Sequence, residues 1–382
     1  MENFVAFNPT KVHFGKGVVK DLGAAAAELG KKALLVYGKG SVLKNGSYHD
    51  TVEQLKQQGL GIIEFSGIKP NPIVRSVDEA AEIGRSEKVD LIVAVGGGSV
   101  IDSAKIIAVC IADNAKAWDV MTGMHTPVTS LPLINVLTLA ATGTEMNPTA
   151  VLQNHDTGQK IGFRHPVMFP KHSFLDPGYT ASVPANYTAY GIVDLIAHSL
   201  EAWFGRGLAP LSDRFVISII QEALEIGPLL MNDLENYEYR ERIMWAATNA
   251  LNDITLHGRM SGDWGVHGLG HTLSYLYDTA HGATLSIIYP AWMRQAGAEK
   301  PERIIQLGRA LFNVTTVEET AKGFEDFFRT IGSPVKGPEA GIKMTEKAEI
   351  LDLMSKNRIS GINFRLTPET REAIVEEILQ EK

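Results

Sequence analysis

Four stretches in the first 150 residues are apolar at nearly every position and then run into glycine or small hydroxyl residues: "ALLVYGKGS" (33–41), "GIIEFSGI" (61–68), "DLIVAVGGGS" (90–99) and "LPLINVLTLAATGTE" (131–145). An unbroken apolar run suits a strand covered on both faces. Between them lie helical stretches, "VVKDLGAAAAELG", "YHDTVEQLKQQG", "VRSVDEAAEIGRSEKV" and "SVIDSAKIIAVCIA". Strands alternating with helices predict a parallel sheet with helices on both sides. "TAVLQNHDTGQKIGFRH" (149–165) breaks the alternation. There, two short runs flank the turn-rich "NHDTG", which predicts a β-hairpin.

After "FLDPGYTASVP" (174–184) the strand–turn–helix repeat stops. Helical periodicities follow at 188–204, 212–230, 237–256, 265–277, 281–297, 302–311, 316–332 and 345–356. "TPETREAIVEEILQ" (367–380) closes the chain with a threonine start and an acidic first turn. The pattern divides the chain into an N-terminal α/β domain, residues 1–185, and an all-helical C-terminal domain, residues 186–382.

Composition narrows the possibilities. The 382 residues, 45% of them apolar and 21% charged, suit an ordinary globular protein of two or three domains. The net charge is −8 and no long Lys/Arg run occurs, so no nucleic-acid partner is expected. No apolar stretch reaches the roughly 18–20 residues of a bilayer span, so no membrane partner is expected. The opening "MENFVAFNPTKVHFGKG" lacks the pattern of a secretory signal. The single cysteine, Cys110, sits in an apolar run and reads as core filling. It cannot form an internal disulfide, which fits a reducing, cytoplasmic setting.

The glycine turns bring in chemistry. "VAVGGGSVIDSAK" places glycines and a serine between a strand and a helix, where backbone N–H groups and the helix dipole favour an anion. The spacing is not the full dinucleotide fingerprint, and a tight structural turn is the alternative for this stretch taken alone. "YGKGS" and "LAATGTE" also follow strand signals. In a parallel sheet such ends converge on one edge, which predicts a crevice for a phosphate-bearing nucleotide.

The helical half carries a second constellation. In "GIVDLIAHSLEAWF" (191–204) Asp194 and His198 sit four residues apart on one helix face. Burying an unpaired carboxylate costs several kcal/mol, and a divalent cation removes that cost. A structural pair, with Asp194 accepting from His198, is the alternative. "DWGVHGLGHTLSYLYDTAHGATLS" (263–286) adds His267 and His271 at the same spacing, and His281 after a break. Imidazoles with one carboxylate suit Zn2+ or Fe2+ rather than Ca2+ or Mg2+. A catalytic ion needs an open position, so at least one of the five residues should stand outside its coordination shell, and spacing alone does not choose between His267 and His271.

These residues, with "FGKG", "YGKGSVLKNG", "GIKPNP", "VGGGSVIDSAK", "LPLINVLTLAATGTEMN", "LDPGYT", "GIVDLIAHSLEAW" and "MWAATNALN", run in order along almost the whole chain. The sequence resembles the iron-dependent, group III alcohol dehydrogenases, within them the butanol dehydrogenase and NADPH-dependent aldehyde reductase branch. The resemblance implies a dehydroquinate synthase-like architecture, a Rossmann-like nucleotide domain with a parallel sheet followed by an all-α metal domain. It implies one divalent metal, Fe2+ or Zn2+, on Asp194, His198, His267 and His281. His271 would remain one turn away, to position substrate or pass the alcohol proton. It places the nucleotide on Gly38, Gly40 and Ser41, with Asn71 and Pro72 near its adenosine end. Gly97, Gly98, Ser99 and Asp102 would surround the pyrophosphate. Thr138, Thr142 and Thr144 would follow toward the nicotinamide, with Val151 and Lys160 from the hairpin.

The implied reaction moves a hydride between NAD(P)(H) and a small primary alcohol or aldehyde, such as butanol or butanal, in a homodimer. Lys39 stands where this branch often has glycine. The turn "YGKGS" lacks the carboxylate that would repel a 2′-phosphate, which favours NADP over the alternative, NAD. The related lyases of the dehydroquinate synthase type would need a basic substrate pocket. The segments beside the metal residues, "LEAWFGRG" and "DWGVHGLGH", are instead mainly apolar, aromatic and glycine-containing. A non-catalytic nucleotide-binding protein would have no use for an intact ligand set.

Overall fold

A computed structural model describes residues 1–381. The strands are β1 (Lys11–Phe14), β2 (Lys32–Tyr37), β3 (Gly61–Phe65), β4 (Leu91–Gly96), β5 (Leu133–Leu137), β6 (Thr149–Asn154), β7 (Gln159–Arg164) and β8 (His172–Leu175). Six form a parallel sheet in the order β1-β8-β5-β4-β2-β3, and β6 and β7 make the antiparallel hairpin. The helices of this part are α1 (Leu22–Leu29), α2 (Ser41–Lys44), α3 (Ser47–Gln57), α4 (Val74–Ser86), α5 (Gly98–Asp113) and α6 (Ala117–Met121).

The unbroken apolar runs have a simple explanation in the two cores. Leu34, Val36, Ile92 and Ala94 point into one cluster with Ile101, Ala104 and Ile107 of α5. Their neighbours Ala33, Leu35, Leu91 and Val93 point into the other, with Leu22 and Ala26 of α1 and Leu55 of α3. Because strand side chains alternate between faces, a strand packed on both sides must be apolar at every position. All six positions of β4, the strand between β2 and β5, are buried.

β1 and β8 escape the sequence reading. Each has four residues, too few to show a periodicity, and each carries a histidine. His13 Nε2 and His172 Nδ1 lie 3.0 Å apart across the pair.

The remaining helices are α7 (Ala185–Trp203), α8 (Pro210–Asn232), α9 (Tyr237–Ala250), α10 (Gly265–Tyr277), α11 (His281–Glu299), α12 (Pro301–Phe312), α13 (Val317–Thr330), α14 (Lys347–Lys356) and α15 (Pro368–Leu379). α9 stops at Ala250, short of the periodicity to 256, because the chain turns there. Asp253 has φ +81, and the Thr255 hydroxyl bonds back to the Ala250 carbonyl. α8 corrects the expectation that no segment is long and apolar enough to cross a bilayer. By length and composition it qualifies, with a mean hydropathy of 1.3 over its most apolar window. Asp213, Arg214, Glu222 and Glu225 interrupt its apolar run in sequence. It buries Val216, Ile220, Ala223 and Leu230, as a core helix does.

The chain forms two compact units. One comprises Phe7–Val183 and Leu234–Thr248, the other Met1–Ala6, Pro184–Asp233 and Asn249–Lys382. The sequence division at 185/186 puts two of these segments on the other side. Most of α9 belongs to the α/β unit because Met244 enters its core, Trp245 packs edge-on against Phe14, and the Thr248 hydroxyl donates to the Glu145 carboxylate at 2.5 Å. Met1–Ala6 joins the helical unit through Glu2 N–H to the Gly258 carbonyl at 2.9 Å and Phe4 stacked on His257.

In the helical unit Asp213 of α8 accepts from Arg259 at 2.5 Å and from Arg303 at 2.8 and 2.9 Å. Burial pushes this carboxyl up, but the two guanidiniums outweigh it and hold the group below its ordinary value. A depressed carboxylate stabilises the fold above the unfolded value, about 3.9, and that contribution is lost as pH falls through the folded value. Asp213→Asn should therefore cost about 1–3 kcal/mol at neutral pH. Urea midpoints of the two proteins should converge as pH is lowered from the unfolded value through the folded one. A gap that does not change with pH would contradict this reading.

Candidate functional site

α7 is buried at every position from Gly191 to Trp203, and this run includes Asp194, His198 and Glu201. α10 supplies His267 and His271, and α11 begins at His281. The approach of α11 to α7 depends on Gly282, where an added Cβ would lie 2.1 Å from the Tyr190 carbonyl oxygen.

Three imidazole nitrogens surround one carboxylate oxygen. Asp194 Oδ1 lies 3.7 Å from His198 Nδ1, 3.9 Å from His267 Nε2 and 3.8 Å from His281 Nε2. These separations exceed hydrogen-bond length. They approach the spacing of donors sharing one ion: bonds of about 2.1 Å in a tetrahedron put neighbouring donors about 3.4 Å apart. Asp194 Oδ1 is buried and has no hydrogen-bond partner among the described residues. That exposed need in a dry setting is what a cation would meet.

Among the described residues, ligand atoms of Asp194, His267 and His281 lie within 4.8 Å of one another. His198 stands beside that trio, its ring stacked on His267 with centroids 4.8 Å apart. The His271 ring centroid is 5.2 Å from that of His281, as is the His267 centroid, and 6.4 Å from that of His267. One carboxylate with imidazoles suits Fe2+ or Zn2+.

Glu201 escapes the sequence reading. Its Oε1 lies 2.7 Å from His267 Nδ1 and accepts the His267 backbone N–H at 3.1 Å, while the Trp264 N–H donates to its Oε2. A carboxylate accepting from Nδ1–H leaves the Nε2 lone pair of His267 directed at the metal position. Burial raises the Glu201 carboxyl to about 7, opposed by the backbone N–H groups of His267 and Trp264. A signal was present: Glu201 follows His198 by three residues on the face that carries Asp194. Trp264, at φ +64, ends the loop before α10 and packs edge-on against His267 at 5.5 Å. Nearby Asp263, pushed up to about 6 by burial and then by Glu201, accepts the N–H groups of Asn363 and Phe364.

The nucleotide candidates belong to the α/β unit. Gly38, Lys39, Gly40 and Ser41 follow β2, Gly97, Gly98 and Ser99 follow β4, and Thr138, Thr142 and Thr144 follow β5. The strands are parallel, so these turns share one edge of the sheet. Gly98 opens α5, and a Cβ there would come within 2.9 Å of Thr142. Lys39 and Ser41 are exposed. Asn71, at φ +54, accepts from Lys160 Nζ at 2.7 Å, and Pro72 accepts the Gln153 N–H at 2.9 Å, which ties the hairpin to the loop after β3. Asp102 and Thr144 are buried. Asp102 takes the Thr144 hydroxyl at 2.6 Å and the Val151 N–H at 2.9 Å. The structure places these two behind the glycine turn and not on its surface.

Residues 9–177 match the iron-containing alcohol dehydrogenase family, and residues 188–381 match the C-terminal part of the Fe-containing alcohol dehydrogenase family. The chain belongs to the iron-containing alcohol dehydrogenases. It is 40% identical over 370 residues to probable NADH-dependent butanol dehydrogenase 1 of Bacillus subtilis, covering 94% of this chain and 95% of that one. It is 32% identical over 388 residues to the NADPH-dependent aldehyde reductase YqhD of Escherichia coli, covering 98% and 99%. The crystal structure of NADH-dependent butanol dehydrogenase A from Thermotoga maritima aligns with a TM-score of 0.95 at 35% identity, covering 100% of this chain and 99% of that one. As a member of this family the chain is an NAD(P)-linked oxidoreductase of alcohols and aldehydes that uses a divalent metal.

Two metal analyses test the cluster. His267→Ala should lose most of its metal, whereas His271→Ala should keep it and show a lower kcat or an altered pH–rate profile. Metal loss in His271→Ala with retention in His267→Ala would reverse the assignment. Glu201→Gln should weaken metal binding about 10–100-fold, read by competition with a chelator, and unchanged affinity would remove its orienting role.

Proposed function

We propose that this alcohol dehydrogenase reduces short, weakly polar aldehydes such as butanal with NADPH and also runs the reverse oxidation, with one divalent ion on Asp194, His198, His267 and His281. The observation that carries the ligand set is the ring of three imidazole nitrogens 3.7–3.9 Å from Asp194 Oδ1. When bound, the ion would supply Lewis acidity at the carbonyl or alcohol oxygen, and the nicotinamide would supply or take the hydride.

The chain's residues do the rest. Backbone N–H groups of Gly98 and Ser99 at the start of α5 take the pyrophosphate, helped by the helix dipole. Gly38, Gly40 and Ser41 border the adenosine ribose, and the exposed Lys39 supplies positive charge for a 2′-phosphate. Asn71, Pro72, Val151 and Lys160 line the adenosine and hairpin side, and Thr138 and Thr142 lie toward the nicotinamide. Glu201 orients His267. His271, beside His281, relays the alcohol proton toward solvent, a role open to an imidazole. The Trp264 ring packed on His267 supports a small apolar substrate over a phosphorylated, carboxylated one.

The family name supports iron, and the donor set is equally open to zinc. The reading includes a soluble cytoplasmic homodimer. Its support is the family resemblance and β1, whose outer side has no partner strand among the described residues.

Butanal-dependent NADPH oxidation, followed by absorbance with and without chelator, tests the reading. Turnover should disappear with chelator and return with Fe2+ or Zn2+, and chelator-insensitive turnover would refute metal dependence. The kcat/KM for NADPH should exceed that for NADH by roughly tenfold or more, about 1.4 kcal/mol. Lys39→Ala should shrink that ratio. A clear NADH preference in the unaltered enzyme would refute the coenzyme assignment.

A further inference from the structure

The polar core of the α/β unit holds an ammonium group to which the reaction above gives no task. Lys105 of α5 is fully buried. Its Nζ donates to Thr144 Oγ1 at 2.6 Å, to the Thr149 carbonyl at 2.7 Å and to Asn147 Oδ1 at 3.3 Å. An ammonium has three donors, and here all three go to one stretch of chain, residues 144–149. Asp102, three residues earlier on the same helix, grips that stretch from the other side by accepting from Thr144 Oγ1 and Val151 N. The Thr144 hydroxyl therefore accepts from Lys105 and donates to Asp102. Asn147 braces the loop from within, donating to the Gly143 carbonyl at 2.9 Å and accepting the Thr149 N–H at 2.9 Å.

Stability alone is a weak reason for a buried ammonium. Burial pushes it down to about 8, only partly opposed by Asp102 and Glu145. An apolar side chain of similar volume in such a place is often no less stable. The position of the grip supplies another reason. α5 is the helix whose first turn carries Gly98 and Ser99, and the loop it holds begins at Thr142, against which Gly98 packs too closely to admit a Cβ. Holding residues 144–149 to α5 fixes Thr142 against the glycine turn before any nucleotide arrives, so ordering of that loop is not charged against binding.

We propose that Lys105 is a positioning residue for the nucleotide, a buried clamp that sets the Thr142–Asn147 loop against the glycine turn at the start of α5. The inference rests on the proposed nucleotide reading of that turn. Thr144, only 2% exposed with its hydroxyl shared by Lys105 and Asp102, belongs to the clamp and not to the binding surface.

NADPH titration of the metal-stripped protein, followed by nucleotide fluorescence, tests this apart from turnover. Lys105→Met should raise the nucleotide Kd about tenfold or more, and in the metal-loaded enzyme it should raise KM for NADPH while KM for butanal stays within about twofold. If Lys105→Met does not fold, Thr144→Val should weaken nucleotide binding while Thr144→Ser, which keeps the hydroxyl, binds like the unaltered protein. Gly98→Val tests the underlying reading. If it abolishes nucleotide binding while folded Lys105→Met, or the Thr144 pair, binds normally, the clamp is wrong and the cradle stands. If Gly98→Val also binds normally, the cradle reading falls and the clamp with it.

Discussion

The helical unit is organised around one electrostatic demand, a carboxylate placed where water cannot reach it. Asp194 is 3% exposed, in a helix buried at nearly every neighbouring position, and its Oδ1 has no hydrogen-bond partner among the described residues. Such a group is costly unless opposite charge comes to it. The helices answer with imidazoles. α7 contributes His198 one turn on, α10 contributes His267, and α11 starts at His281 because Gly282 lets its first turn touch the α7 backbone. Neutral imidazoles supply lone pairs without charge, and in the proposed reading a divalent cation would complete the arrangement. Glu201 holds the His267 ring from its Nδ1 side, opposite the Nε2 that faces Asp194.

The α/β unit uses buried charge differently. Lys105 and Asp102 lie a turn apart on α5 and meet at the Thr144 hydroxyl, so the charges are joined by a hydrogen-bonded bridge. This network has no ion to receive. It fixes backbone, and the backbone it fixes borders the glycine turn. In the helical unit the buried polar groups converge on Asp194 Oδ1 without bonding it, whereas here they saturate one another.

How much was legible follows from which signals are local. The i, i+4 pairs Asp194/His198 and His267/His271 could be read because helix geometry alone makes each pair neighbours. The strands β2, β4 and β5 were readable because packing on two faces forces apolar residues at nearly every position, whereas β3 at the sheet edge was read from its apolar run alone. Glu201 was hidden by its apolar context and because its partner, His267, is 66 residues away. Spacing does not choose between His267 and His271, since both face the same side of α10; the choice of His267 comes from the family resemblance. The allegiance of α9 was unreadable because an apolar stripe does not say which core it will enter. Asp102 and Thr144 sit in stretches read as nucleotide-binding, and only the packing shows that their oxygens are occupied with each other.

The central claim is that Asp194 is placed for a cation and not for the fold. Thermal unfolding of the unaltered protein and of Asp194→Asn, each stripped of metal and then titrated with Zn2+, tests it most directly. The asparagine keeps the shape and removes the charge. The account predicts that the stripped Asp194→Asn protein is at least as stable as the stripped unaltered one, and that Zn2+ raises Tm strongly only in the unaltered protein. A stripped Asp194→Asn protein of lower Tm, with the same rise on adding Zn2+ as the unaltered protein, would contradict it.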